Sequence, residues 1–413
     1  MPSRKVETGH RPPGGDPTTL PGAEAIAETL LQSAVGGAAV SGGGRRSGGT
    51  GIERRRARFH ALEVREVRPL TADAVEVTFL VPDELADDYD YLPGQYVALR
   101  ARLDGEEVRR SYSLCRPPQR GSLSVGIKRD AGGRFSTWAQ TELRAGDRLD
   151  VMSPQGTFTT RLDDLSGAHV AGVAAGSGIT PLLALATAVL ARSHDSRFTL
   201  VYSNRSTPDV MFLDELADLK DRYPARFALH HVLSRERRAA PVLSGRLDDE
   251  RLHRILDALV IPATVDEWFL CGPLDLVTRC RRALDDAGVD PQRVHYELFT
   301  TGESDARGPR TPAVVRDDEP ALTIDFTLDG QSSSVMSPVA ARESILDAAL
   351  RVRSDVPFAC AGGVCGTCRA RLVSGSVAMR ENYALEPDEL ERGYVLTCQS
   401  HPSSDRVVVD YDA

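Results

Sequence analysis

The chain has 413 residues and 41% hydrophobic content, too long for one ordinary domain and apolar enough to build several cores. A net charge of −9 argues against nucleic acid as the main ligand, and seven cysteines, an odd count, fit free thiols in a reducing cytoplasm. The longest apolar stretch, Ile179 to Ala191, is broken by Pro181 and too short for a membrane span, and no apolar run behind the N-terminal basic residues suggests a secretory signal.

Residues 1–56 read as a disordered tail. They carry Pro12-Pro13-Gly14-Gly15 and Gly42-Gly43-Gly44 and end in Arg54-Arg55-Arg56, a composition that buries little, although a short helix over 23–34 is compatible with it. From 57 to 162 the pattern is β-rich. Ala74 to Phe79 alternates, Val125 to Lys128 does so in part, and turn signals recur at Pro93-Gly94, Asp104-Gly105, Gly132-Gly133 and Gly146-Asp147. This predicts a small antiparallel β-barrel with one helix over 134–143.

A strand beginning near Glu107 carries Arg110-Ser111-Tyr112-Ser113. Alternation puts Arg110 and Tyr112 on one face, a cation for a phosphate beside a ring for a flavin. Gly133 and Ser136 open a helix start suited to a pyrophosphate, and Ser111 and Lys128 are further candidate cofactor contacts.

From 163 to 300 strand and helix alternate: strands at 169–174, 198–202, 228–232 and 267–271, helices at 182–190 and 212–219. This predicts an α/β domain with a parallel sheet. The turn Gly176-Ser177-Gly178-Ile179-Thr180-Pro181 joins a buried strand to an apolar helix and suits a dinucleotide phosphate. Where an NAD-preferring fold would place an acid, Arg205 and Ser206 stand instead, which favours the 2′-phosphate of NADPH. Cys271-Gly272-Pro273 ends a strand at the ligand edge of the sheet, where Cys271 is a candidate nicotinamide contact. His230 and His231 lack ligand spacing and read as structural.

Residues 301–320 read as a linker and 321–413 as a small α+β domain with a first strand at 321–326 and a helix at 344–351. Its Cys360, Cys365 and Cys368 follow the C-x4-C-x2-C spacing of plant-type [2Fe–2S] clusters, with Cys398 as fourth thiolate. Zinc is the alternative, but structural zinc sites usually pair two short cysteine motifs, and Cys398 stands alone.

Three modules in this order resemble the ferredoxin reductase-type electron-transfer components of bacterial oxygenases. The likeness covers about 57–413. Within that superfamily His295-Tyr296-Glu297-Leu298-Phe299 and the stretch from Cys360 to Ser400 resemble the reductases of ring-1,2-epoxidases acting on phenylacetyl-CoA. The resemblance implies FAD, NADPH as cosubstrate, a [2Fe–2S] cluster and a di-iron oxygenase partner in phenylacetate catabolism. It further implies that Arg110 holds the flavin phosphate, Tyr112 packs on the flavin ring, Ser113 and Glu297 lie near its reactive centre, and Cys271 faces the nicotinamide. The linker would let the cluster domain swing between flavin and partner. Another oxygenase as acceptor, or a non-catalytic ferredoxin-type carrier, are the competing readings.

Overall fold

Six strands of the computed structural model, β1 (Phe59–Thr71), β2 (Ala74–Leu80), β3 (Tyr96–Leu103), β4 (Glu106–Ser113), β5 (Ser122–Lys128) and β6 (Arg148–Met152), form an antiparallel sheet in the order β4-β3-β6-β1-β2-β5. A bridge between Leu114 and Val125 joins its two edges, so the sheet closes. The β3–β4 hairpin turns on Asp104-Gly105, both at positive φ, as a two-residue hairpin loop requires. Leu62, Val77, Phe79, Leu99, Val125 and Ile127 fill the interior, and the helix α1 (Arg134–Thr141) adds Phe135 to it. The structure describes residues 57–160, 165–299, 319–353, 355–385 and 387–413. The tail expected at 1–56, the boundary at 162/163 and the linker up to residue 318 lie outside the described residues.

Burial on β2 departs from the expected alternation: Ala74, Val75, Glu76 and Val77 are all buried. The reason is a second layer. Ala74 belongs to the core of the next domain, and a Cβ on Gly126 of β5 would stand 2.6 Å from Thr180 and 3.3 Å from Phe212 of that domain. Both faces of these strands are therefore covered.

The second domain is a parallel sheet of β7 (His169–Ala175), β8 (Arg197–Asn204), β9 (Phe227–Leu233), β10 (Glu267–Gly272) and β11 (Val294–Leu298), in the order β11-β10-β7-β8-β9. Its helices are α2 (Ile179–Arg192), α3 (Leu213–Arg222), α4 (Asp249–Ala258) and α5 (Leu274–Asp286). The chain steps from β7 outward to β9 and then returns to β10, so the strand order reverses between β7 and β10. Ligands collect at that crevice in open α/β sheets. The helix α2 is longer than expected and buried almost throughout, because it is wedged between sheet and barrel with Cys115 and Phe158 in the same core.

The third domain sets β12 (Ala321–Leu328), β13 (Gln331–Pro338), β14 (Arg369–Ser374), β16 (Tyr394–Leu396) and β18 (Arg406–Asp410) in one sheet, and pairs β15 (Val377–Met379) with β17 (Ser400–Pro402). Its helices are α6 (Ile345–Leu350) and α7 (Pro387–Glu391). Ser344, expected as the first helical residue, is the N-cap of α6: its hydroxyl accepts the Asp347 amide at 3.2 Å.

An ion cluster ties barrel to sheet. Glu76, 5% exposed, takes Arg116 at 2.6 and 2.7 Å and Arg68 at 2.6 Å, while Glu215 on α3 takes Arg116 at 2.8 Å and also Arg68. Burial opposes the charged form of Glu76, but the two guanidiniums outweigh it and hold the carboxyl below its ordinary range. Glu76→Ala removes the carboxylate that both arginines share and leaves two adjacent cations. With those arginines about a third exposed, we expect a loss of about 1–3 kcal/mol in urea unfolding. An unchanged denaturation midpoint would show that the cluster is stabilised by solvent rather than by Glu76.

Candidate electron-transfer site

The cysteine loop between α6 and β14 is held in a shape that ordinary residues resist. Ala361, Gly363 and Gly366 have φ of 50, 78 and 70°. A Cβ on Gly363 would meet the Glu381 carbonyl at 3.1 Å. The resulting curl turns backbone amides toward sulfur: those of Gly362 and Cys365 both lie 3.4 Å from the Cys360 Sγ. Gln399 Nε2 reaches the Cys398 Sγ at 3.5 Å, and the Thr367 hydroxyl lies 3.1 Å from the Cys365 Sγ.

All four thiols interact, with hydrogen bonds inside the pairs Cys360–Cys365 and Cys368–Cys398. A tetrahedral zinc needs four ligands at one centre, whereas each iron of a [2Fe–2S] core takes two thiolates and two bridging sulfides. Paired thiols with amides aimed at sulfur therefore fit the binuclear cluster, and all four predicted ligands are brought together.

On the barrel, β3 and β4 pair so that Tyr96 faces Ser113, Val97 faces Tyr112 and Leu99 faces Arg110. Arg110 and Tyr112 share a face, as expected. Tyr112 packs 5.8 Å from the Phe135 ring of α1, and the Arg110 guanidinium donates to the Arg109 carbonyl at 2.7 Å. Ser111 Oγ and Gln155 Nε2 are buried with no protein partner, orphaned polar atoms of the kind a bound cofactor satisfies. No side chain caps the start of α1 at Gly133, which leaves its amides available to a pyrophosphate. Ser136 is already engaged, since its hydroxyl accepts the Asp130 amide at 3.1 Å. These features fit a flavin lying along β4 toward α1.

At the sheet, Gly176 has φ of 54° with open space around it, and no side chain caps the start of α2. The Gly176 carbonyl accepts the Tyr202 hydroxyl at 2.9 Å. Gly178 has a different reason to be glycine: a Cβ there would lie 2.1 Å from the Cys271 carbonyl. Thr180 and Pro181 are buried in the first turn. Cys271 lies in β10 between Ala174 of β7 and Glu297 of β11, with Gly272 and Pro273 leading into α5. Beyond the turn is a cleft of about 370 Å3 lined by Lys128, Arg205, Arg235 and Arg246 with Asp209. Arg205 is paired with Asp209 at 2.5 Å and Asp73 at 3.2 Å, and Ser206 donates to Asp209 at 2.5 Å. Lys128 bonds Asp73 at 3.4 Å and so belongs to the nucleotide cleft as well as to the barrel.

The predicted sites converge. Ser113 at the end of β4 donates a hydrogen bond to Glu297 of β11 at 2.9 Å, and Glu297 stands beside Cys271 in register and close enough to Cys365 to feel its charge. A cleft of about 550 Å3 opens here, lined by Tyr96, Gln155, Glu297, Cys365 and Thr367 among others. Sequence reasoning misses Tyr96, Gln155, Thr367, Arg235 and Arg246. Pro93-Gly94-Gln95-Tyr96 reads only as a turn, although an aromatic just past a Gly is a signal for a special contact.

Burial pushes the Glu297 carboxyl up to about 8, partly opposed by the Ser113 hydrogen bond. The folded protein thus keeps a proton that the unfolded chain releases above its ordinary carboxylate range. Stability contributed by that proton is complete only below the ordinary value of 4.5 and declines as pH rises from there through about 8. Glu297→Gln should flatten the decline in thermal midpoint between pH 6 and pH 9; a variant as pH-sensitive as the parent would mean that Glu297 is ionised throughout. Separately, Gly178→Ala forces the nucleotide turn off the Cys271 carbonyl, and nicotinamide-coenzyme KM should rise at least tenfold. An unchanged KM would mean that the turn relaxes without cost.

Three family models match in the order seen in the fold: an oxidoreductase FAD-binding domain over residues 61–160, an oxidoreductase NAD-binding domain over 173–282 and a 2Fe-2S iron-sulfur cluster binding domain over 326–403. One component of the 1,2-phenylacetyl-CoA epoxidase of Escherichia coli (strain K12) is 42% identical over 86% of this chain and 98% of its own length. The ferredoxin reductase component of the 3-ketosteroid-9-alpha-monooxygenase of Mycolicibacterium smegmatis is 37% identical over 85% of this chain and 96% of its own. Phthalate dioxygenase reductase, solved as a modular structure for electron transfer from pyridine nucleotides to [2Fe–2S], superposes with a TM-score of 0.53 at 25% identity, covering 85% of this chain and 98% of that one. The chain belongs to the ferredoxin reductase-type reductase components of oxygenases, and is an NAD(P)H-dependent oxidoreductase with FAD and a [2Fe–2S] cluster.

Proposed function

We propose that this reductase takes its electrons from NADPH and delivers them to the di-iron oxygenase component of a phenylacetyl-CoA epoxidase system, in aerobic phenylacetate catabolism in the cytoplasm. The observation that carries the acceptor is the 42% identity to the E. coli epoxidase component, which spans 98% of that protein's length. A reductase of another oxygenase is the second reading, favoured by the 37% identity to a 3-ketosteroid monooxygenase component. The barrel at 57–162, the nucleotide domain at 163–300, the linker at 301–320 and the cluster domain at 321–413 are its working units.

When bound, the flavin supplies the conversion of a two-electron hydride into single electrons and the cluster supplies their relay. The protein's residues arrange the exchange. Arg110, with the α1 amides beyond Gly133, holds the flavin phosphates and Tyr112 supports the ring, while Ser111, on the other face of β4, offers an unpartnered hydroxyl as a further cofactor contact. Ser113 and Glu297 stand at the reacting edge, where Glu297, protonated at neutral pH, keeps a proton at Oε1 or Oε2 beside the Ser113 hydroxyl. Gly176, Gly178, Thr180 and Pro181 present the α2 start to the coenzyme pyrophosphate, and Cys271, Gly272 and Pro273 border the nicotinamide. Burial drives the Cys271 thiol well up, so it serves as an uncharged wall and not as a nucleophile. Cys360 with Cys365, and Cys368 with Cys398, would hold one iron each.

Coenzyme choice rests on the cleft beyond Ser203: four cations, Lys128, Arg205, Arg235 and Arg246, outnumber the two carboxylates they meet, Asp209 in the cleft and Asp73 paired with Lys128 and Arg205, an excess that suits a 2′-phosphate. Arg205→Ala and Arg235→Ala should each raise KM for NADPH by roughly ten- to a hundredfold while NADH changes little. Equal effects on both coenzymes would remove the NADPH assignment. For the acceptor, the purified protein should support NADPH-dependent oxygenation by a phenylacetyl-CoA epoxidase and not by a steroid hydroxylase; the reverse result would hand the protein to the second reading.

A further inference from the structure

Tyr96 is buried on the barrel, yet its hydroxyl reaches out of it. It donates to the Cys365 carbonyl at 2.6 Å and lies 2.7 Å from the Thr367 hydroxyl. Thr367 Oγ is in turn 3.1 Å from the Cys365 Sγ. On the opposite side, Tyr96 is the direct cross-strand partner of Ser113, whose hydroxyl holds Glu297. One residue therefore stands between the candidate flavin edge and a candidate cluster ligand.

Its surroundings are built to keep it there. Gly156 has φ of 109°, and a Cβ on it would press to 3.0 Å on the Tyr96 ring. The Tyr96 amide and carbonyl both bond Gln155, each at 2.9 Å. Ala98, Met152 and Ala359 pack around the ring, and Ala359 directly precedes the first cysteine. Nearby, the Arg109 guanidinium lies 4.2 Å from the Phe358 ring centre and 5.2 Å from that of Phe59, a second grip of barrel on cluster domain. Of these two grips, the one through Tyr96 ends on the cysteine loop's own sulfur network.

We propose that Tyr96 is a positioning residue for electron transfer, seating the Cys365–Thr367 end of the cluster loop on the barrel and sharing the Thr367 hydroxyl proton with the Cys365 sulfur. Tyr96 is neither oxidised nor reduced: one electron leaves the flavin, already reduced by NAD(P)H, and one iron(III) of the cluster becomes iron(II). The proton count fixes the direction of the effect. The tyrosine has one hydroxyl hydrogen, and the shorter contact assigns it to the Cys365 carbonyl, which can only accept. The Tyr96 oxygen then accepts from Thr367 in competition with the cluster thiolate. Removing it gives the Thr367 hydrogen wholly to sulfur, and hydrogen bonds to sulfur raise a cluster's potential.

The inference rests on the FAD and [2Fe–2S] cofactors and not on the identity of the acceptor, so a wrong oxygenase assignment leaves it standing. Tyr96→Phe keeps the ring that Gly156 accommodates and deletes only the hydroxyl. With holoprotein of full iron content, stopped-flow reduction by NADPH should show flavin reduction at the parent rate and cluster reduction slowed roughly five- to tenfold, because the loop end is no longer held in its transfer geometry. In an EPR-monitored titration the cluster potential should move upward. Thr367→Val should lower the potential, and in the Tyr96→Phe/Thr367→Val double variant the upward shift should vanish. A Tyr96→Phe protein with parental cluster reduction and potential would overturn the proposal, and so would a shift that persists without Thr367.

Discussion

A single hydrogen bond, Ser113 to Glu297, joins the last residue of a barrel strand to the edge strand of the parallel sheet across 184 positions of sequence. Everything in the site depends on the alignment it marks. The barrel offers its ligand surface along β4, the sheet offers its own at the β7–β10 crevice, and only a fixed relation between them lets a hydride donor and acceptor face each other. Near-attack geometry leaves room for errors of well under 1 Å. The Glu76 ion cluster and the buried helix α2 hold that relation from the far side, so the alignment belongs to an extensive packed interface and not to the bond alone.

The carboxyl in that bond also has an electrostatic meaning. A buried Glu beside a sulfur-rich loop would repel electrons arriving there if it were ionised. Burial keeps it protonated at neutral pH. The same low-dielectric setting that raises Glu297 raises Cys271, so neither group brings a formal negative charge to the junction. Negative charge there would come from the cofactors once bound, and the amides aimed at Cys360 would meet it.

Much of this was legible in the chain because its signals are local. The C-x4-C-x2-C run, the Gly176–Pro181 turn and Arg110-Ser111-Tyr112-Ser113 are short motifs whose chemistry follows from neighbours in sequence, and the fold brings them together as expected. What was not legible depends on distant partners. Glu76 reads as the polar position of an alternating strand, and only the second domain's Glu215 and the two arginines explain its burial. Gly178 reads as a phosphate-loop glycine, but the Cys271 carbonyl, far along the chain, forbids a side chain there. Tyr96 follows a Pro-Gly turn and reads as strand start; its role emerges only when the cysteine loop arrives, 269 positions further along the chain. Arg235 and Arg246 lie on a loop whose course toward Arg205 no periodicity encodes.

The contacts between barrel and cluster loop bound how freely that domain can move. Tyr96 makes two short hydrogen bonds at about 1 kcal/mol each, and a guanidinium over an aromatic ring adds roughly 1–2 kcal/mol where it is shielded from water, as the 3% exposed Arg109 is. Together these contacts make the docked arrangement the resting one. An electron acceptor that requires the loop released must bind the free form more tightly by at least what these contacts contribute, whereas one that reads the cluster domain from its outer face meets no such cost. The fold therefore makes flavin-to-cluster transfer the default geometry and leaves any departure from it to be driven by the partner.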